Sequence, residues 1–230
     1  MRKIFLVFLC VVVIFMVTTT HGQSIVDSKK IVKVGIIDSI VSDKTLEYYN
    51  VKSTKRFISV GNEIEASHGN AILEIISKNT TRAEIYYAQV LNSNNVGQIT
   101  SIVNAINWCI ENEVDIINMS FATKNDNKLL KDAISYAISK NVLIISSCLN
   151  YSEDYSYPAM YSGVISVSDG DCKDAVIIVP KEEYVLNLPG LGYKTYKGTS
   201  YATAYITSLL IDNDLDKIKT MEQIKTKYNK

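Results

Sequence analysis

The sequence predicts a three-layer α/β fold, with a mostly parallel central sheet and helices on both faces. Two observations carry that prediction. Short apolar, β-branched runs alternate along the chain with segments whose apolar residues recur near a 3.6 period. Strands that alternate with helices pair in parallel and must be covered on both faces. The chain has 230 residues, 47% of them hydrophobic. It can therefore bury a sizeable core as one domain, and it is neither disordered nor a multi-span membrane protein.

The elements follow in order. Residues 31–37, Ile-Val-Lys-Val-Gly-Ile-Ile, read as the first strand, and residues 83–90, 114–119, 141–146 and 164–167 read likewise. Residues 70–77, 99–110, 129–139 and 201–210 show helical periodicity. In such a sheet the functional groups collect at the carboxyl ends of the strands. That rule selects Asp38 after the first strand, Ser120 after residues 114–119 and Asn150 after residues 141–146. Each alone also reads as an ordinary turn former or helix cap. No Gly-x-Gly-x-x-Gly follows the first strand, which argues against a dinucleotide-binding domain.

Residues 1–22 read as a targeting segment. Arg2 and Lys3 precede an unbroken apolar run over residues 4–17, and small residues suit cleavage after Gly22. The run is short for a membrane-spanning helix, so a signal peptide is expected, with an uncleaved N-terminal anchor as the alternative. Residues 23–230 are then expected to form one domain outside the cytoplasm, either secreted or tethered to the outer face of the membrane. Lys+Arg and Asp+Glu balance at 24 each, so nothing points to nucleic acid. Beyond the leader the cysteines are Cys109, Cys148 and Cys172. An odd number is not a complete disulfide framework, and buried free thiols acting as small hydrophobes are expected. The cysteine spacings match no zinc pattern, and the only histidines are His21 and His68. No metal or other cofactor is expected.

Three residue types in this chain make sense together. Ser200 stands in Gly198-Thr199-Ser200 before a helical segment, and His68 stands in Ser67-His68-Gly69 before another. Alone, Ser200 reads as a helix cap and His68 as a helix-start or core histidine. A serine hydroxyl becomes a good nucleophile only when a base removes its proton, and histidine has the pKa for that task near neutrality. An aspartate must fix the imidazole tautomer, and an amide or N–H must meet the developing oxyanion.

These segments resemble the subtilisin family of serine peptidases. Val34-Gly-Ile-Ile-Asp38-Ser39 is similar to its aspartate motif, Ser67-His68-Gly69 to its histidine motif and Gly198-Thr-Ser-Tyr-Ala-Thr-Ala204 to its serine motif. The Asp, His, Ser order is also that family's. Residues 88–98, 114–120 and 157–167 resemble non-catalytic stretches of the same family. The resemblance implies a subtilisin-like fold and an endopeptidase. Ser200 would attack the scissile carbonyl, His68 would act as base and acid, and Asp38 would orient His68. Asn150 and the Ser200 N–H would hold the oxyanion. An extended peptide or protein substrate would lie between two backbone rails, Asn95, Val96 and Gly97 on one side and Ser120, Phe121 and Ala122 on the other. Ser156 would lie near the primary specificity pocket, and Glu153 and Asp154 would favour a basic side chain if they face it. A monomer is expected.

The sequence departs from the family pattern at Ile40, Asn70, Ala122, Thr123, Leu149, Tyr201 and Ala204. No departure removes a reacting atom. Leu149 replaces a glycine beside the oxyanion asparagine and bears on how Asn150 is aimed. No pro-domain is expected, because only residues 23–30 separate the expected leader from the first strand. The short link after the His68 helix leaves no space for a calcium-binding insertion. Together these features suggest a narrow processing role. The competing reading is a catalytically silent subtilisin-like fold that binds peptides or proteins. A third reading makes Cys148 the nucleophile, with Ser200 a mere cap.

Overall fold

The strand β1 (Val32–Ser39) lies inside a seven-stranded sheet in the order β2-β3-β1-β4-β5-β6-β7. Its companions are β2 (Ser53–Arg56), β3 (Ala83–Leu91), β4 (Ile116–Met119), β5 (Leu143–Ser147), β6 (Ile165–Ser168) and β7 (Ile177–Ile178). Every neighbouring pair is parallel. The helices are α1 (Asp43–Tyr48), α2 (His68–Asn79), α3 (Ile99–Glu111), α4 (Lys128–Ser139), α5 (Thr199–Asp212) and α6 (Lys217–Tyr228). An antiparallel hairpin, β8 (Tyr184–Leu188) with β9 (Gly192–Tyr196), leads into α5. The computed structural model describes residues 30–59, 67–150, 155–170, 172 and 175–228. The leader, Glu153 and Asp154 lie outside the described residues.

Strand side chains alternate between faces, so consecutive apolar residues feed two separate cores. Val34 and Ile36 of β1, Ile116 of β4 and Ile145 of β5 pack with Ile72 and Ile76 of α2 and with Ile206 and Leu210 of α5. Ile37, Ile117 and Ile144 instead join Ile106 of α3 and Ile134 of α4 on the opposite face. This is why the sequence shows continuous apolar runs rather than alternation: both faces of these strands are covered.

Strand order reverses at β1, which has β3 on one side and β4 on the other. Such a switch point opens a crevice at the carboxyl ends of the strands. Asp38 and Ser120 meet it there, and Asn150 follows the end of β5. The link from α2 to β3 is short, residues 80–82, as the sequence predicts. Arg82 in that link donates to the carbonyls of Ile211 and Asp212 at the end of α5 and to Lys30 O. It thereby adds charged donors to the acceptors at a helix terminus, where carbonyls run short of intrahelical partners.

Candidate active site

Asp38 is the penultimate residue of β1 and is fully buried. The β1–β3 register breaks just after it, where Asp38 pairs with Gln89 but Ser39 pairs with Leu91. A bulge of this kind re-aims a side chain at the end of a ladder. Asp38 Oδ1 accepts from the Ser39 N–H at 2.6 Å and from His68 Nδ1 at 2.8 Å. His68 is the first residue of α2, and Ser67 caps that helix by accepting from the Asn70 N–H. Ser39 grips the same helix start. Its hydroxyl accepts from the Gly69 N–H at 2.9 Å, and its carbonyl accepts from the Tyr87 hydroxyl at 2.8 Å.

An ionised carboxylate only accepts, so His68 Nδ1 carries the proton and Nε2 presents a lone pair. Burial acts most strongly on the His68 pKa and lowers it. The charge of Asp38 and its hydrogen bond together outweigh burial, and the net result lies above the ordinary 6.5. The Tyr201 ring sits 5.5 Å from the imidazole, tilted by 44°. Its phenol is pushed up to about 12, first by burial and then by Tyr196 and Asp38.

Ser200 is the second residue of α5. Gly198 occupies the cap position, so Ser200 is not the helix cap. The Ser200 hydroxyl donates to Ser120 O at 2.7 Å, and the Ser120 hydroxyl donates back to Ser200 O at 3.0 Å. Asn118 extends this clamp. Its amide donates to Ser120 Oγ at 3.0 Å, and its Oδ1 accepts from the Thr207 hydroxyl at 2.8 Å. Ser200 makes no hydrogen bond to His68 in this conformation, although both line one cleft of 270 Å³ together with Asn150 and Ser120.

Asn150 Oδ1 faces the Thr199 N–H at 2.9 Å. A backbone N–H can only donate, so the atom facing it must be the amide oxygen, and Nδ2 is left as a donor. The Thr199 hydroxyl lies 2.7 Å from Cys148 O and 2.9 Å from Asn150 Oδ1, and its single proton serves one of them at a time. Leu149 does not displace this arrangement: its N–H donates to Ser156 Oγ at 3.0 Å. Ser156 is itself fully buried.

Of the two rails, Asn95, Ser120, Phe121 and Ala122 border the cleft. Val96 and Gly97 lie beyond it, along an adjoining groove of 420 Å³ floored by Ile99, Ile102 and Leu130. Thr123 is already paired with Tyr157 through two backbone bonds of 2.8 Å. Among the described residues the Ala122 N–H and C=O have no partner. Residues 151–154 lie outside the described residues. Among the described residues no group of three or more His, Cys, Asp or Glu could hold a metal.

Cys148 does not suit a nucleophile. Its thiol is buried, and burial together with Cys172 holds its pKa far up, away from the thiolate. Sequence reasoning missed two residues that shape the site, Tyr87 and Thr199. Tyr87 stands in β3 with Glu84, Tyr86 and Gln89, so the sequence does not single out its hydroxyl; once the ring is buried, that hydroxyl needs a partner. Thr199 adjoins Ser200, and its role is visible only once α5 meets β5.

The model of the subtilase family matches residues 29–178. That span includes Asp38, His68 and Asn150 and ends before Ser200. Subtilisin E of Bacillus subtilis (strain 168) is 29% identical over 216 residues, covering 81% of this chain and 55% of that protein. The minor extracellular protease Epr of the same strain is 31% identical over 162 residues, covering 64% of this chain and 25% of that protein. The chain thus spans about half or less of the length of these relatives. Among solved structures, the prenylagaramide maturation protease PagA superposes with a TM-score of 0.65 at 19% identity, over 86% of this chain and 78% of that one. A cold adapted subtilisin-like serine proteinase gives a TM-score of 0.65 at 19% identity, over 80% and 76%. Both are likenesses of fold.

Proposed function

Because the chain belongs to the subtilase family, we propose that it is an exported serine endopeptidase that cleaves extended peptides through an acyl-enzyme. The observation that carries this reading is the 2.8 Å Asp38–His68 contact in the same cleft as Ser200 and Asn150. His68 Nε2 takes the Ser200 proton as Oγ attacks the carbonyl, then returns it to the leaving amine. Asn150 Nδ2 and the Ser200 N–H stabilise the oxyanion. That N–H lies in the first turn of α5, where helical N–H groups lack intrahelical partners.

Before substrate arrives, Ser200 is held by Ser120 O. In this reading a peptide N–H laid along the rail takes that carbonyl, and the freed hydroxyl turns to His68. Catalytic contacts are often made only in the complex, so the resting geometry is compatible with activity. The Ala122 backbone is the next open position on the rail. Thr123 is committed to Tyr157, which shortens the rail and favours a narrow substrate range. Export rests on the leader pattern of residues 1–22.

The test is labelling with a fluorophosphonate that reacts with activated serines. The folded chain should be labelled at Ser200, and His68→Ala and Ser200→Ala should each abolish labelling, because a triad acts as a unit. A folded wild-type chain that stays unlabelled would leave the peptide-binding reading in its place.

A further inference from the structure

We propose that Cys148 and Cys172 are a cystine-forming pair, a covalent cross-link that fastens the strand end carrying Asn150 to the segment after β6. Two independent hydrogen bonds bring the cysteines together. The Cys148 N–H donates to Val167 O at 2.8 Å, continuing the β5–β6 ladder by one residue. The Cys172 N–H donates to Ser168 Oγ at 3.0 Å, folding the chain back onto the residue that follows Val167. Both side chains then fall into one small buried cluster with Ala159. Both are free, buried thiols in this structure. Cys109 lies in a different core, among Ile106 and Ile117, so the third thiol does not compete.

This pairing resolves the odd cysteine count: one pair and one inert core thiol. The chemistry is thiol–disulfide exchange with a small disulfide oxidant such as oxidised glutathione. One cysteine thiolate attacks a sulfur of the oxidant, forming a mixed disulfide and expelling one glutathione thiolate. The second cysteine thiolate displaces the other. Two thiols and one small disulfide become one cystine and two small thiols, with two electrons and two protons passed to the oxidant. Cys148 is 2% exposed and Cys172 4%, and burial holds the Cys148 thiol far from its thiolate. The exchange therefore occurs while the chain folds, and burial afterwards shields the bond from reductants. The cross-link sits just behind the catalytic cleft, because the Cys148 carbonyl meets the Thr199 hydroxyl that also faces Asn150.

The test is independent of catalysis. The full chain is folded in a glutathione redox buffer, alkylated in denaturant without reduction, digested and mapped by mass spectrometry. The expected result is one peptide pair joined through Cys148 and Cys172, 2 Da lighter than the two free peptides, with Cys109 alkylated. Reduction should lower Tm by roughly 5–10 °C, and the double variant Cys148→Ser, Cys172→Ser should show no such response to reductant. Recovery of both cysteines in alkylated form, or a bridge from either to Cys109, would overturn the proposal. The peptide map decides even where the double variant does not fold.

Discussion

At the start of α2, a Cβ on Gly69 would stand 1.9 Å from the Tyr87 hydroxyl, and at the start of α5, a Cβ on Gly198 would stand 3.0 Å from Asn150 Oδ1. Both helices bring a candidate catalytic residue to the sheet edge beside a glycine, but they are held differently. The α2 start is wedged under a fully buried tyrosine and tied to β1 by the Gly69–Ser39 and His68–Asp38 bonds. The α5 start turns on a Gly198 φ of 125° and is held by exchangeable hydroxyl and amide contacts to Ser120 and Asn150. In the proposed mechanism, the close-packed contact holds His68 as the base before substrate binds, and the exchangeable contacts let Ser200 and Asn150 adjust as it binds.

The largest expected effect tests the adjustable side. Asn150→Ala should lower kcat by about 10²–10³, the cost known for removing the corresponding donor in this family, while KM stays within a few-fold. An amide that donates strongly only to the oxyanion lowers the barrier without tightening ground-state binding. The measurement is kcat and KM on one peptide with active-site-titrated protein. Wild-type turnover in the variant would remove Asn150 from the mechanism and leave backbone N–H groups as the oxyanion donors.

The rigid side should respond in stability. Gly69→Ala puts a methyl group against Tyr87 Oη, with Ser39 O at 3.1 Å behind it. A fully buried ring has nowhere to retreat, and overpacking of this kind costs about 1–3 kcal/mol. Tyr87→Phe alone leaves Ser39 O without its donor, also about 1–3 kcal/mol. Combined, the two substitutions should cost clearly less than their sum, because removing the hydroxyl makes room for the methyl. Denaturant unfolding of the four proteins reads this directly. Strict additivity would mean that the helix start is not wedged as described.

The same contrast explains what the sequence could and could not disclose. The central strands were legible because both faces are buried, which writes an unbroken β-branched run. Ser53–Arg56 escaped notice because β2 is a polar edge strand with no buried face to write a pattern. In β8, Leu186 and Leu188 are buried while Val185 and Asn187 are exposed, an alternation too short to stand out in the sequence. Asp38, His68, Ser200 and Asn150 were nameable because each chemistry-bearing type stands at a strand end or helix start. Tyr87 and Thr199 were not, since their function is to hold neighbours that only the tertiary fold supplies. The proximity of Cys148 to Cys172 belongs to the same class, because it depends on how the chain after β6 folds back.

The smallest expected effect is a displaced titration. As general base His68 must be neutral, so kcat/KM should rise with pH through an apparent pKa above the ordinary 6.5. Asp38→Asn should do more than remove that elevation. Burial, the strongest single influence on His68, lowers its pKa and remains when the carboxylate is gone. The limb of the residual activity should therefore move below 6.5, a reversal of sign rather than a simple loss. Stability runs the other way. A histidine whose folded pKa is raised stabilises the fold fully below its unfolded value near 6.5, and that contribution is lost as pH rises through the folded pKa. Wild-type Tm should accordingly fall, relative to His68→Ala, over the same pH window in which activity appears. Profiles of kcat/KM and Tm between about pH 5 and 9 test both arms over the range where imidazole titrates. A wild-type limb at or below 6.5 would mean that burial, not Asp38, governs His68, and that the charged contact at the start of α2 is weaker than its 2.8 Å geometry implies.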